Sequence, residues 1–381
     1  MNRQQVIRIL SDLVRIESVN PALVLGGSGE GVIARHVGEF LKSVGLETRL
    51  REVSPGRFNA LGILRGSGGG KSLMLNGHLD TVGVTGMQDP FSARVEDGRL
   101  YGRGAQDMKG GLAAAMAAVG ALAQEPRLKG DVVLAAVADE ESQSLGTRAL
   151  LQEVRTDAAI VMEPTSLEVA TAHKGFVWAE IETFGRAAHG SRPQEGVDAI
   201  VFMGRVLGRI ERLQECLTSG RQHPLLGCGS IHASQIAGGQ ELSSYPARCR
   251  LSVERRLVPG EDASTLETEL NNMVGQLREQ DPRFHAQVTV GYSAKPLETP
   301  RESSIVARLA DCVARVTGRE TVLGVQTFWT DAALLSEAGI PSVLFGPGGE
   351  GLHSAVEYVR LEDVVLCARA LAECARDFCT S

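Results

Sequence analysis

The unbroken apolar run Val132-Val133-Leu134-Ala135-Ala136-Val137-Ala138 passes directly into three acids, Asp139-Glu140-Glu141. A short run without polar alternation predicts a strand buried on both faces. The acids then fall at the carboxyl edge of a sheet, where open α/β sheets place their ligands. Neighbouring carboxylates repel and no basic residue adjoins them, so a positive charge from elsewhere, or a proton, must share the site.

Two more runs end the same way. Leu73-Met74-Leu75-Asn76 leads to Gly77-His78-Leu79-Asp80, and Ala158-Ala159-Ile160-Val161-Met162 leads to Glu163-Pro164. His78 and Asp80 are two apart on an extended chain and so share a face, which predicts that Asp80 accepts from the second imidazole nitrogen of His78. By the same alternation, Glu140 and Glu141 should point to opposite sides. Asp107 stands just before the Ala-rich helical stretch Leu112 to Leu122, where capping is the plain alternative to a role in the site. Asp331, before another helix, reads as a cap.

Helical spacing over residues 4–15 and 31–44 opens the chain, and extended stretches follow from 46 to 52 and 60 to 64. Gly66-Ser67-Gly68-Gly69-Gly70-Lys71-Ser72 does not complete a phosphate loop, since Arg65 replaces the required Gly and a strand follows the Ser; it predicts a hairpin-like turn. Arg94 to Leu100 reads as a hairpin. Gly102-x-Gly104 lacks the third Gly of a dinucleotide site. The pattern changes at Lys174-Gly175. Two amphipathic helices and about four strands, with Cys249, Leu251 and Val253 alternating inward, predict an inserted α+β sandwich of ferredoxin-like type. The expected organisation is a catalytic α/β domain with a mixed sheet and helices on both faces, built from residues 1–174 and 291–381, interrupted by the sandwich at 175–290.

Lys and Arg number 39 against 46 Asp and Glu, a net charge of -7, which argues against nucleic acid or an anionic membrane as partner. No apolar run is long enough to span a bilayer and the amino terminus lacks a signal-type apolar core, so a cytoplasmic protein is expected. The 7 cysteines are scattered without a C-x-x-C pair, which favours reduced thiols. His36, His173, His223, His232 and His285 are read as structural or solvent-facing.

His78, Asp107, Glu141, Glu163 and His353 offer only nitrogen and carboxylate oxygen, a set suited to zinc, cobalt or manganese and larger than one tetrahedral ion needs. Two divalent cations sharing a carboxylate fit better, and they supply the missing positive charge.

With these residues the chain resembles the M20 metallopeptidases and deacylases. The matching segments are Gly77-His78-Leu79-Asp80-Thr81-Val82, Gly102 to Gly111, Asp139-Glu140-Glu141, Met162-Glu163-Pro164-Thr165, Gly185 to Ser191 and Phe345-Gly346-Pro347-Gly348. The resemblance implies that Asp107 bridges two metals, zinc first, with His78 and Glu163 completing one site and Glu141 and His353 the other. It implies Glu140 as general base, Asp80 as partner of His78, His189 as the histidine reaching the scissile carbonyl, and Arg256, Ser243 and Gly348 as substrate contacts. Ser243 stands where the family often has Asn, and it offers fewer donors. The implied activity is deacylation of an N-acyl amino acid, acetylornithine deacetylase-like, by a homodimer formed through the inserted domain. A dipeptidase, a carboxypeptidase or another N-acyl or N-formyl amine deacylase is the alternative, and a non-catalytic amino-acid-binding homologue the reading from another class.

Overall fold

The computed structural model describes residues 2–380. We number its principal strands β1 (Glu47–Ser54), β2 (Arg57–Leu64), β3 (Leu73–His78), β4 (Val132–Val137), β5 (Ala158–Val161), β6 (Val169–His173), β7 (Gly175–Phe184), β8 (Ser230–Gly238), β9 (Arg248–Leu257), β10 (His285–Ala294) and β11 (Ser342–Leu344). The chain divides into two compact units, one of residues 1–171, 299–325 and 330–381, the other of 172–298 and 326–329.

The first unit is a mixed α/β fold whose sheet runs β1-β2-β4-β3-β5-β11-β6. β3, β4, β5 and β11 are mutually parallel where they pair, and β1, β2 and β6 run antiparallel to their neighbours. Every residue of β3, β4 and β5 is buried, as their apolar sequences require. Each fully buried Val, Leu or Ile contributes about 1.5–3 kcal/mol relative to exposure. Because β4 lies between β2 and β3, the segment Gly66–Ser72 crosses the end of a strand; the expected hairpin is absent, for the two strands are not paired.

Helix Gly110–Leu122 is buried nearly all round and packs on helix Leu361–Cys379. Alanine and glycine let it approach the sheet: a Cβ on Gly111 would lie 2.0 Å from the carbonyl oxygen of Met162, the residue before Glu163. A small antiparallel sheet is ordered Gly349–Glu350, Tyr358–Arg360, Arg99–Tyr101, Arg94–Glu96. Its last two strands form the expected hairpin, turning through Asp97 and Gly98, both at positive φ. The loop between its first two strands carries His353.

The second unit is an antiparallel sheet ordered β8-β9-β7-β10, with helices Ala199–Ser219 and Ala263–Gln280 packed in its core. Cys249, Leu251 and Val253 are buried as their alternation predicts. Arg255 falls on the same side and is fully buried, its guanidinium held by Glu261 and Glu269. Among the described residues no helix is long and apolar enough to cross a membrane.

Candidate metal centre

β3, β4 and β5 end side by side, so the residues that follow them converge. His78 Nδ1 lies 2.9 Å from the carbonyl oxygen of Asp80. A carbonyl only accepts, so Nδ1 donates to it and Nε2 is the ring nitrogen left facing the acids. The orienting partner is therefore the Asp80 backbone, not its side chain, whose nearest oxygen is 3.7 Å away. The chain leaves the sheet after His78, and the two-residue alternation ends where the expectation needed it. The Asp80 carboxylate instead accepts from Asn20 Nδ2 at 2.8 Å and from the amides of Glu140 and Glu141 at 3.1 and 3.2 Å.

β4 likewise stops at Val137, and Asp139 is left-handed at φ 71°. Its carbonyl accepts from the amides of Ser142, Gln143 and Ser144. Glu140 and Glu141 therefore lie in a turn, where strand alternation does not apply.

Asp107 does not cap the helix after it. Its Oδ1 lies 3.0 Å from His78 Nε2 and its Oδ2 3.3 Å from His353 Nε2, one oxygen toward each histidine. His353 Nε2 is also 3.3 Å from Glu141 Oε2, and His78 Nε2 is 4.0 Å from Glu163 Oε1. His78, Asp107 and Glu163 form one group whose potential ligand atoms all lie within 4.8 Å of one another, and Asp107, Glu141 and His353 form a second. All five expected ligands are thus brought together, with Asp107 common to both groups.

The electrostatics describe a site short of positive charge. Burial pushes the carboxyls of Glu140, Glu163 and Glu141 upward, reinforced by the neighbouring acids. Asp107 is partly buried, which opposes its charge, yet hydrogen bonds from His353 and His78 hold it below the usual range. Its hydrogen bond with Asp107, then that with Glu141, raises His353 to about 10. Glu141 Oε1 is buried without a hydrogen-bond partner. Glutamates whose carboxyls are pushed upward by burial and by one another, histidines paired with the acids and an orphaned carboxylate oxygen fit two divalent cations, which would hold the acids ionised.

Buried Glu357 supports the Asp107 segment. Its carboxylate accepts from the amides of Gly104, Gln106 and Asp107 at 2.9–3.1 Å and pairs with Arg103 at 2.6 Å. Arg103 in turn donates to the carbonyl of Ser354, beside His353. Removing one partner of a buried pair strands the other charge, so Glu357→Ala should destabilise the metal-free protein by about 3–5 kcal/mol, measurable by urea unfolding.

Asp331 does not cap its helix with its side chain. Its buried carboxylate accepts from Thr147 Oγ1 at 2.6 Å, and its charge acts on Glu140 and Glu163. It escaped the sequence reading because an Asp before a helix looks like a cap. Asn20, Glu30 and Arg57 also join the site's surroundings from segments without a motif.

In the second unit, His189 is exposed and its Nδ1 pairs with Ser191 Oγ at 2.8 Å. The neighbouring Gly190 amide donates to the carbonyl of Ser243 at 2.7 Å, so these two expected residues share one loop cluster. Arg256 pairs with Glu254 at 2.7 Å and lies over the Phe176 ring. In the first unit, the Gly348 amide donates to Asp363, and a Cβ there would overlap the Arg360 guanidinium.

Comparison with known proteins gives this geometry a family. The profile described as peptidase family M20/M25/M40 matches residues 74–377. The acetylornithine deacetylase of Myxococcus xanthus is 34% identical over 351 residues, covering 90% of this chain and 87% of its own. That of Erwinia tasmaniensis is 30% identical, with 98% and 97% covered. Among solved structures, aminopeptidase PepT from Bacillus cereus superposes with a TM-score of 0.82 at 18% identity, covering 99% of both chains. The Bacillus subtilis YXEP protein, titled a dinuclear metal binding peptidase, does so at 0.76 and 16%, covering 98% of both. The chain belongs to peptidase family M20/M25/M40 and, with it, to the metal-dependent amide hydrolases.

Proposed function

We propose that this protein hydrolyses the amide of an N-acyl amino acid, with N-acetylornithine-like compounds as first substrates. The observation that carries the reading is Asp107 turned to His78 with one oxygen and to His353 with the other, beside a carboxylate, Glu140, that belongs to neither ligand group. The deacetylase relatives cover nearly the whole chain and favour deacylation over peptide cleavage.

His78, Asp107 and Glu163 would hold one divalent cation and Asp107, Glu141 and His353 the other, zinc first, with cobalt or manganese as alternatives. When bound, the pair supplies Lewis-acid polarisation and makes a nucleophile available from water at neutral pH. Glu140 takes the proton of the attacking water and returns it to the leaving nitrogen. The C–N bond breaks, the acyl carbon gains the water oxygen, and the products are a carboxylate and a free amine. Asp80 fixes the Glu140 and Glu141 amides through its carboxylate and His78 through its carbonyl. His189 is assigned to the developing oxyanion and Arg256 to the substrate carboxylate, with Ser243 and Gly348 as further contacts. A cytoplasmic homodimer joined through the inserted unit completes the reading.

The test is a substrate screen with the zinc- or cobalt-loaded protein. N-acetyl, N-succinyl, N-formyl and N-carbamoyl amino acids are set against dipeptides. The highest kcat/KM should fall on an N-acetyl amino acid. Preferential cleavage of dipeptides would move the assignment to a peptidase, and no turnover of any amide by the loaded protein would overturn it.

A further inference from the structure

We propose that Arg57, Glu30 and Asn20 are positioning residues that fix the Asp139–Glu141 turn and thereby aim Glu140. The inference rests on the assignment of Glu140 as general base.

The three come from different parts of the first unit and meet beneath the turn, where Glu30 and Asn20 are fully buried and Arg57 nearly so. Arg57 makes a forked pair with Glu30, Nε to Oε2 and Nη2 to Oε1, both at 2.5 Å. Its Nη2 also donates to Asp139 Oδ1 at 2.9 Å. Glu30 Oε1 accepts the Asp139 amide at 3.1 Å, so one ion pair grips both the backbone and the side chain of the left-handed residue.

Asn20 carries the grip onward. Its Nδ2 donates to Asp139 Oδ1 at 3.1 Å and to Asp80 Oδ2 at 2.8 Å, placing one neutral donor between two buried carboxylates. Asn20 is held in turn by its amide on the Thr81 carbonyl and by its Oδ1 on the Ala22 amide. The array ends on the two peptide N–H groups that precede the side chains in question, those of Glu140 and Glu141, both bound by Asp80.

A purely scaffolding pair has no reason to terminate there. A left-handed non-glycine residue is disfavoured and persists only where its surroundings over-determine it. Asp139 is held from the amide, the carbonyl and both carboxylate oxygens.

The experiment compares Asn20→Ala, Arg57→Lys and Arg57→Met in the metal-loaded enzyme, with Glu140→Ala as reference. Misplacing the base should lower kcat by about ten- to a hundredfold for Asn20→Ala, with KM little changed and two cations retained. Amide hydrogen exchange across residues 139–144 of the metal-free protein should accelerate in the same variant, whereas that of β3 should not. Arg57→Lys, which keeps the charge and loses the fork, should fall between the parent and Arg57→Met. If the charged variants do not fold, Asn20→Ala decides alone, since it removes no charge. Parental kcat and parental exchange in Asn20→Ala would overturn the inference. A Glu140→Ala enzyme that still turns over sinks the assignment of the base itself, and a dead Glu140→Ala beside a fully active Asn20→Ala sinks only the positioning array.

Discussion

Glu140→Ala should lower kcat by about 10²–10⁴-fold, the usual contribution of a general base, while the protein keeps both cations. Glu141→Ala should lose one of them. The two acids are adjacent in sequence and both of their amides rest on Asp80, yet only Glu141 belongs to a ligand group. The Glu141 carboxylate lies 3.3 Å from His353 Nε2, and replacing it opens the group shared with Asp107. Metal content after gel filtration, measured beside kcat on the same preparations, separates the two roles. Equal loss of metal in both variants would falsify the division. Glu140→Gln sharpens the comparison, because it keeps the size and removes the proton acceptor.

Three of the five expected ligands are legible because each stands at the end of an apolar run, whereas Asp107 and His353 lie in segments without one. His78, Glu141 and Glu163 come at or just after the ends of short, mainly apolar runs, and such runs have few places to go other than a sheet buried on both faces. The second unit was legible through period: Cys249, Leu251 and Val253 face inward, as do Leu266, Leu270, Met273 and Leu277 of its second helix. What was misread lies where regular structure stops. Strand alternation holds only to His78 in β3 and Val137 in β4, so it does not reach Asp80, which meets the His78 ring through its carbonyl and not its side chain. Asp139 lies beyond the strand end, in a left-handed turn that no apolar pattern announces. Asp331 was hidden by the commonest use of an Asp at that position.

The missing positive charge has two answers at two depths. At the tips of the acids, cations bound by the two candidate ligand groups would supply it. Beneath them, Arg57 pairs with Glu30 and Asp139, a contact that no local sequence rule exposes because its members are far apart in the chain. Long-range pairs of this kind need the sheet order, and β2, which carries Arg57, became a neighbour of β4 only through the antiparallel register that sets Ala60 against Ala136.

Asp107→Ala should empty both metal sites and abolish hydrolysis, a larger loss than any other single ligand change. His78 and Glu163 depend on Asp107 for one group, and Glu141 and His353 depend on it for the other. His353→Ala, by contrast, removes a half-exposed ligand from one group and leaves His78, Asp107 and Glu163 complete, so that protein should retain about one cation per chain. The stability changes should follow the metal. A cation that binds only the folded chain adds RT ln(1 + [L]/Kd), about 2.7 kcal/mol at a hundredfold excess over Kd. Added zinc should therefore raise the melting temperature of the parent most, that of His353→Ala less, and that of Asp107→Ala least. Titration of the metal-free proteins, read by melting temperature and by bound metal, tests the order. If Asp107→Ala instead bound one cation as tightly as His353→Ala does, Asp107 would serve a single site, and the bridging role read from its two oxygens would be wrong.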